Sequence, residues 1–255
     1  MLFTKTTFIG VDPTAGKRPF AYAALDDNLR TIALAKGEME DVLEFVGGQE
    51  HAFVAINAPR MPNMGLMRDE NVRAQISPVP RPGRWTDYRV AEYLLRHQKI
   101  AIPRTPYELE KVPRWMKAGF EVFRHLQSNG YHAYPNEDAP HQTLEVYPHG
   151  CFQRLLGGKK PFPKKTLEGR IQRQLVLYVE GLDVVNPMRV FEEITRHRLL
   201  KGILPLDGLL APGELDALIA AYTAWMAVNR ADQIEMVGDL VEGQIAIPLE
   251  KRPLR

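Results

Sequence analysis

The run Phe8-Ile9-Gly10-Val11-Asp12, broken at once by Pro13-Thr14-Ala15-Gly16, constrains the fold of this chain more than any other stretch. Apolar and small residues ending on an acid, then a Pro/Gly loop, predict a short buried strand that terminates in a carboxylate. Such a strand sets one charge at a sheet edge, where a metal or a phosphate can be met. An Asp in this place also caps many ordinary turns. Its role therefore depends on whether other acids converge on it.

Two more strand-like pieces follow at 19–25 and 29–35, with turn chemistry from Asp26-Asp27-Asn28 between them. Met39, Val42, Leu43 and Val46 recur at helical spacing, and Gly47-Gly48 stops that helix. Ala52-Phe53-Val54-Ala55-Ile56 is a continuous apolar run, as in strands buried on both faces. The order strand, strand, strand, helix, strand implies a mixed sheet with helices packed on it. Beyond Arg60 the texture becomes rich in proline, arginine and methionine, with helices expected at 87–98 and 115–129. Residues at about 60–130 read as a Pro/Arg-rich and helical insertion after the fourth strand, over one sheet edge, within a single domain spanning 1–255.

The second half should hold a strand at 142–148, helices at 151–156, 167–178 and 190–200, and a last strand at 243–248. Between the first two helices lies a basic loop with Lys159, Lys160, Lys164 and Lys165. The helix expected at 213–229 is the most informative. Ala217, Ala220, Ala221, Thr223, Ala224 and Ala227 give it small side chains that let its axis come close to whatever it packs on.

Composition narrows the class. Hydrophobic residues at 45%, charged residues at 25% and a formal net charge of +2 fit an ordinary globular protein and dictate no partner. The single cysteine, Cys151, excludes an intrachain disulfide and a cysteine-rich zinc cage. No basic segment leads into an apolar one near Met1, and the longest nearly apolar run, 217–228, is shorter than the ~20 residues of a membrane helix. The expectation is a soluble cytoplasmic protein without membrane contact.

Three acids stand out by position: Asp12 at the end of the first strand, Glu145 at the end of a later one, and Asp216 in the first turns of the small-residue helix. Carboxylates gathered at one sheet edge repel, by roughly 4 kcal/mol for two charges ~4 Å apart at an effective dielectric of about 20. Such a cluster either binds a cation or keeps a proton. Hard oxygen donors without a Cys/His set point to Mg²⁺ or Mn²⁺ rather than zinc. Arg60, His149, Lys164 and Lys165 are candidate substrate contacts: His149 for proton transfer beside Glu145, the cations for a phosphate backbone. Tyr147 and Trp85 could stack on bases or simply pack.

The blocks Gly10-Val11-Asp12, Ala55-Ile56-Asn57-Ala58-Pro59 and Glu145-Val146-Tyr147-Pro148-His149 resemble the family called domain of unknown function 429. So do Leu215-Asp216-Ala217-Leu218, Tyr222-Thr223-Ala224 and the closing Glu242-Gly243-Gln244-Ile245 with Pro248. Members of that family are described as predicted RNase-H-like nucleases. The resemblance implies an α/β fold, an RNase-H-like mixed β-sheet flanked by α-helices. It also implies Asp12, Glu145 and Asp216 as catalytic metal ligands for Mg²⁺ or Mn²⁺, on the first strand, a later strand and a late helix. The family pattern usually has Asp where this chain has Asn57, which would join the metal set through a neutral amide oxygen and favour one ion over two.

The expected activity is metal-dependent phosphodiester hydrolysis of nucleic acid. RNA, DNA and a nucleotide-like small molecule all remain open as substrate, and the oligomeric state is undetermined. Asn57 also admits a catalytically weakened or inactive nucleic-acid-binding protein on the same fold. A third reading is an actin-like or sugar-kinase-type phosphotransferase, since those folds also open on Gly-x-Asp. It needs a second Asp-Gly phosphate turn and a glycine-rich adenosine site, for which Gly208 and Gly213 stand only in loosely suitable places.

Overall fold

The computed structural model describes residues 5–14, 19–81, 83–191, 193–203 and 206–251. Its first strand, β1 (Thr6–Asp12), ends on the acid singled out above, and all but one of its residues are buried. The Gly/Pro loop expected after it lies partly, at 15–18, outside the described residues. Antiparallel β2 (Phe20–Leu25) and β3 (Thr31–Gly37) follow. Their turn is held by the Asp26 carboxylate, which accepts from the backbone N–H of Asn28 and of Arg30, both at 2.9 Å.

Helix α1 (Met39–Gly47) then carries the chain back to β4 (His51–Ile56), which lies parallel to β1 on its other side. The sheet continues through β6 (His141–Val146) and β8 (Gly243–Pro248), each parallel to its predecessor, and closes with antiparallel β7 (Ile234–Asp239). The eight-stranded mixed sheet thus runs β3-β2-β1-β4-β6-β8-β7, with the two-residue β5 (His132–Ala133) beside β6. Because β1, β4, β6 and β8 are parallel, their carboxyl ends share one edge. Asp12, Asn57 and Tyr147 are therefore neighbours at that edge.

Helices cover both faces. On one, α5 (Pro148–Leu155) and α6 (Leu167–Val179) pack beside α8 (Pro212–Asn229), which lies across β1, β2 and β4. On the other, α1 packs with α4 (Arg114–Ser128). Within the stretch read as an insertion, α4 joins the core: Val122, Phe123 and Leu126 cluster with Ile9, Val11, Val42 and Val46. Ahead of it lie α2 (Glu70–Gln75) and α3 (Val90–His97), where Met67, Val90 and Tyr93 form a small apolar cluster. The helix expected at 190–200 is a 3₁₀ turn at Pro187–Phe191 followed by α7 (Glu193–Leu200), with residue 192 outside the described residues. No helix among the described residues is long and apolar enough to cross a membrane.

Strand β7 carries almost no sequence signal. It is a half-buried edge strand, and the Asp239 carboxylate closes its hairpin by accepting from the Val241 N–H at 2.7 Å, in place of a two-residue Asn-Gly turn.

One contact fixes how close α8 comes to the sheet. A Cβ built on Gly10 would lie 1.9 Å from the Ala217 carbonyl oxygen and 2.4 Å from the Ala221 nitrogen. The helix backbone rests directly on the strand. Glycine is required here for lack of space rather than for a special φ. We expect Gly10→Ala to lower stability by ~3 kcal/mol or more, since neither backbone can yield as a side chain would. Urea unfolding checks this, and a loss below ~1 kcal/mol would show that α8 can lift without cost.

Candidate functional site

That close approach brings two acids together. Phe8, Gly10 and Asp12 alternate onto the α8 face of β1, and Asp216 sits one turn into α8, beside Ala217. Both carboxylates are buried, Asp12 at 8% exposure and Asp216 at 3%. Gly213, in the first turn of α8, also leaves room for the pair, because a Cβ there would stand 3.2 Å from Asp12 Oδ2. From the next strand end, Asn57 donates its Nδ2–H to Asp12 Oδ1 at 2.6 Å. Its backbone N–H donates to the Val11 carbonyl at 2.9 Å, which holds it in line with β1.

Lys164, on the loop between α5 and α6, supplies the charge that answers these acids. Its ammonium donates to Asp216 Oδ2 at 2.5 Å. Burial alone would lower the Lys164 pKa, but Asp216 and then Asp12 outweigh it and the net shift is upward. Burial also pushes Asp216 up, against the opposing pull of Lys164 and Arg173. Asp12 is raised from 3.8 to about 7, first by burial and then by the charge of Asp216, with Lys164 and the Asn57 hydrogen bond acting against the rise. Among the described residues Lys164 is bonded to Asp216, and the buried Arg173 adds positive charge at longer range. The half-buried His149, at the start of α5, is held below its ordinary value by burial and then by Arg173, Lys160 and Lys164.

Asp12 opens onto a cleft of about 590 Å³ whose lining includes Lys36, Lys164, Lys165 and Arg170, with Pro212 and Gly213 at the start of α8. Lys36 is tied to Glu214 at 2.8 Å, and Arg170 donates to the Leu209 and Leu210 carbonyls at 2.6 and 2.9 Å.

The structure does not bring Glu145 to this pair. In the parallel ladder Val11, Ile56 and Glu145 stand side by side, and neighbours in register share a face. Val11 and Ile56 belong to the core under α1 and α4, so Glu145 points away from the face that carries Asp12. Its partner is the fully buried Arg89, whose two terminal nitrogens grip both Glu145 oxygens, one of them at 3.0 Å. The Arg60 N–H adds a bond to Oε2 at 3.0 Å. Arg60 thus acts through its backbone here, and its side chain borders a separate groove with Tyr134 and Gly243.

Around Arg89 the other acids are equally occupied. Glu92 accepts from the Thr105 N–H at 2.9 Å and hydroxyl at 2.5 Å, and from Arg89 Nε at 3.2 Å. Glu242 accepts from the Met64 and Val90 N–H groups at 2.9 and 3.0 Å. Arg89 escapes sequence reading because 56 residues separate it from Glu145. Arg173 follows Arg170 by three residues, one turn along α6, at the end of the basic stretch that begins at Lys159.

Two hard carboxylates, one of them already bonded to a cation, fit a single divalent ion in donor type and charge. Among the described residues, no three His, Cys, Asp or Glu side chains are assembled as a metal-holding group.

A family model described as "Protein of unknown function (DUF429)" matches residues 10–241. The chain belongs to that family. No curated protein matches the chain, and no solved structure matches it either. In this DUF429 chain the matched span includes Asp12, Asn57, Lys164 and Asp216 as well as Arg89 and Glu145.

Two stability measurements separate the roles of these acids. Folding raises the Asp12 pKa from 3.8 to about 7 and so favours its protonated form. The native state carries no penalty from this group below about pH 4, and stability falls as pH rises from there through 7. Asp12→Asn never ionises yet keeps an acceptor for Asn57. It should melt above the parent at pH 8, by on the order of 2 kcal/mol or about 5 °C, with the gap closing toward pH 4. A folded D12N that melts lower than the parent at pH 8 would contradict this. Glu145→Gln should do the opposite, costing ~3 kcal/mol at neutral pH by stripping a buried arginine of its main counter-charge. A neutral effect in urea unfolding would show that the Arg89 pair is not structural.

Proposed function

We propose that this protein is a metal-dependent phosphodiesterase of RNase-H-like architecture, with Asp12 and Asp216 as the ion-binding acids. The observation that carries the reading is the buried carboxylate pair, from the first strand and a late helix, with Lys164 bonded to Asp216 and Asp12 lining a basic cleft. The sheet flanked by helices on both faces supports the architecture, as do the positions of these two acids on the chain.

Asp12 and Asp216 would hold one Mg²⁺ or Mn²⁺, with the Asn57 side chain at the edge of the site as a neutral neighbour. A bound ion there would polarise a phosphoryl oxygen and acidify a coordinated water. Two carboxylates balance one divalent charge, which argues against a second ion. Asn57 orients Asp12 through its 2.6 Å hydrogen bond. Lys36, Lys165 and Arg170 give the cleft a positive lining suited to a phosphodiester backbone. His149, whose pKa burial and the nearby cations hold down, stays neutral near pH 7 and feels the charge of Lys164. Glu145 serves the site indirectly, by fixing α3 and the strand ends through Arg89.

Calorimetric titration with Mn²⁺ and cleavage of labelled RNA, DNA and hybrid duplexes test the reading. Parent protein should bind one ion, and Asp12→Asn and Asp216→Asn should each lose binding and cleavage. Asn57→Asp, which adds a third carboxylate, should tighten Mn²⁺ about tenfold, the equivalent of ~1.4 kcal/mol. D12N and D216N proteins that bind Mn²⁺ and cleave as the parent does would sink the proposal.

A further inference from the structure

Lys164 occupies the place where an ion would be drawn, and its surroundings show where it would go. Its ammonium is bonded to Asp216 Oδ2 at 2.5 Å and also feels the charge of Asp12. Yet its side chain is 47% exposed while that of Asp216 is 4% exposed, so Lys164 reaches the acids from the solvent side. Its stem forms part of the wall of the cleft lined by Lys36, Lys165 and Arg170. The loop backbone beside it is pinned: the Pro163 carbonyl accepts from Thr166 N–H at 3.1 Å and from the Thr166 hydroxyl at 3.0 Å. A Cβ on Gly169 would come within 1.9 Å of that same oxygen. Only the flexible lysine side chain is left to move.

The charges in the cleft make such a movement useful. Lys36 is engaged by Glu214, and Arg170 by two backbone carbonyls. Lys164 is bonded to Asp216, and in this arrangement it is not available to an anion. A divalent ion between Asp12 and Asp216 would neutralise both carboxylates and repel the ammonium, because the three charges cannot share one pair of acids. Resting on the metal-site reading given above, we propose that Lys164 is an exchangeable occupant of the acid pair. Ion entry releases its ammonium into the basic cleft, where it binds a phosphate group of the substrate, so that ion and phosphate load together. Any affinity gained by the phosphate is matched by an equal gain for the ion.

Isothermal calorimetry on the full chain tests this with Mn²⁺ and with adenosine 5′-monophosphate, a phosphate monoester that phosphodiester hydrolysis would leave intact. For the parent, Mn²⁺ should strengthen nucleotide binding at least fivefold. Lys164→Gln should bind Mn²⁺ at least threefold more tightly than the parent, having lost its internal competitor, while Mn²⁺ no longer strengthens nucleotide binding. Lys164→Arg should keep the coupling, and Lys159→Gln should match the parent in both titrations. Thermal melts establish that each variant is folded. Folded K164Q that binds Mn²⁺ with parental or weaker affinity, or that retains the full coupling, overturns the exchange while leaving the metal site standing. Failure of the nucleotide to bind the parent even with Mn²⁺ overturns the phosphate half. Absence of Mn²⁺ binding in both parent and K164Q overturns the metal site and the exchange with it.

Discussion

The backbone of α8 lies directly on β1 at Gly10, and the rest of the molecule is arranged around that contact. A helix can come so close only if both surfaces are nearly bare, and here the strand offers a glycine while the helix offers alanines. Leu215 through Ala227 are buried without interruption, so α8 is apolar all round, as a central helix must be. It packs across three strands and against α5 and α6, uniting the larger of the two main apolar clusters. Asp216 is the exception on this helix, an acid in a stretch otherwise committed to packing. Its place beside Asp12 is thus a consequence of the packing distance. A helix held farther off by bulkier side chains would separate the acids and dissolve the site.

Local pattern made several of these parts readable. A strand that ends in Asp12, an apolar run before Asn57 and a small-residue helix after Gly213 each speak through a few consecutive residues. The meeting of Asp12 and Asp216 is not local, since 203 positions lie between them. It was reached through the family resemblance, and the geometry of α8 explains it. What could not be read depends on register and on long-range partners. Glu145 ends a strand as Asp12 does, but it stands level with Val11 instead of Asp12, and a shift of one residue turns a side chain to the other face. Nothing within the strand itself reveals that offset. Lys164 was legible as a cation near phosphate, while its bond to Asp216 required the loop to be folded back over α8.

The sheet therefore separates two groups of buried acids, and their hydrogen bonds distinguish their roles. Glu145, Glu92 and Glu242 are met by the Arg89 guanidinium, by four backbone N–H groups from the 60–90 region and by Thr105, so their oxygens are satisfied from within the chain. Acids satisfied in that way hold elements together and have little left for a ligand. Asp12 and Asp216 have Asn57 on one oxygen and a half-exposed lysine on another. Glycine at 213 preserves space beside Asp12 Oδ2, where a Cβ would stand 3.2 Å away. Burial without full compensation is costly in a folded chain, and the raised Asp12 pKa expresses that cost. Under the proposed metal reading, a cation entering from the cleft would relieve it. On the proposed reading, the burial that raises the Asp12 pKa is also what would make added positive charge favourable at the pair, whereas the saturated cluster around Arg89 gains nothing from it.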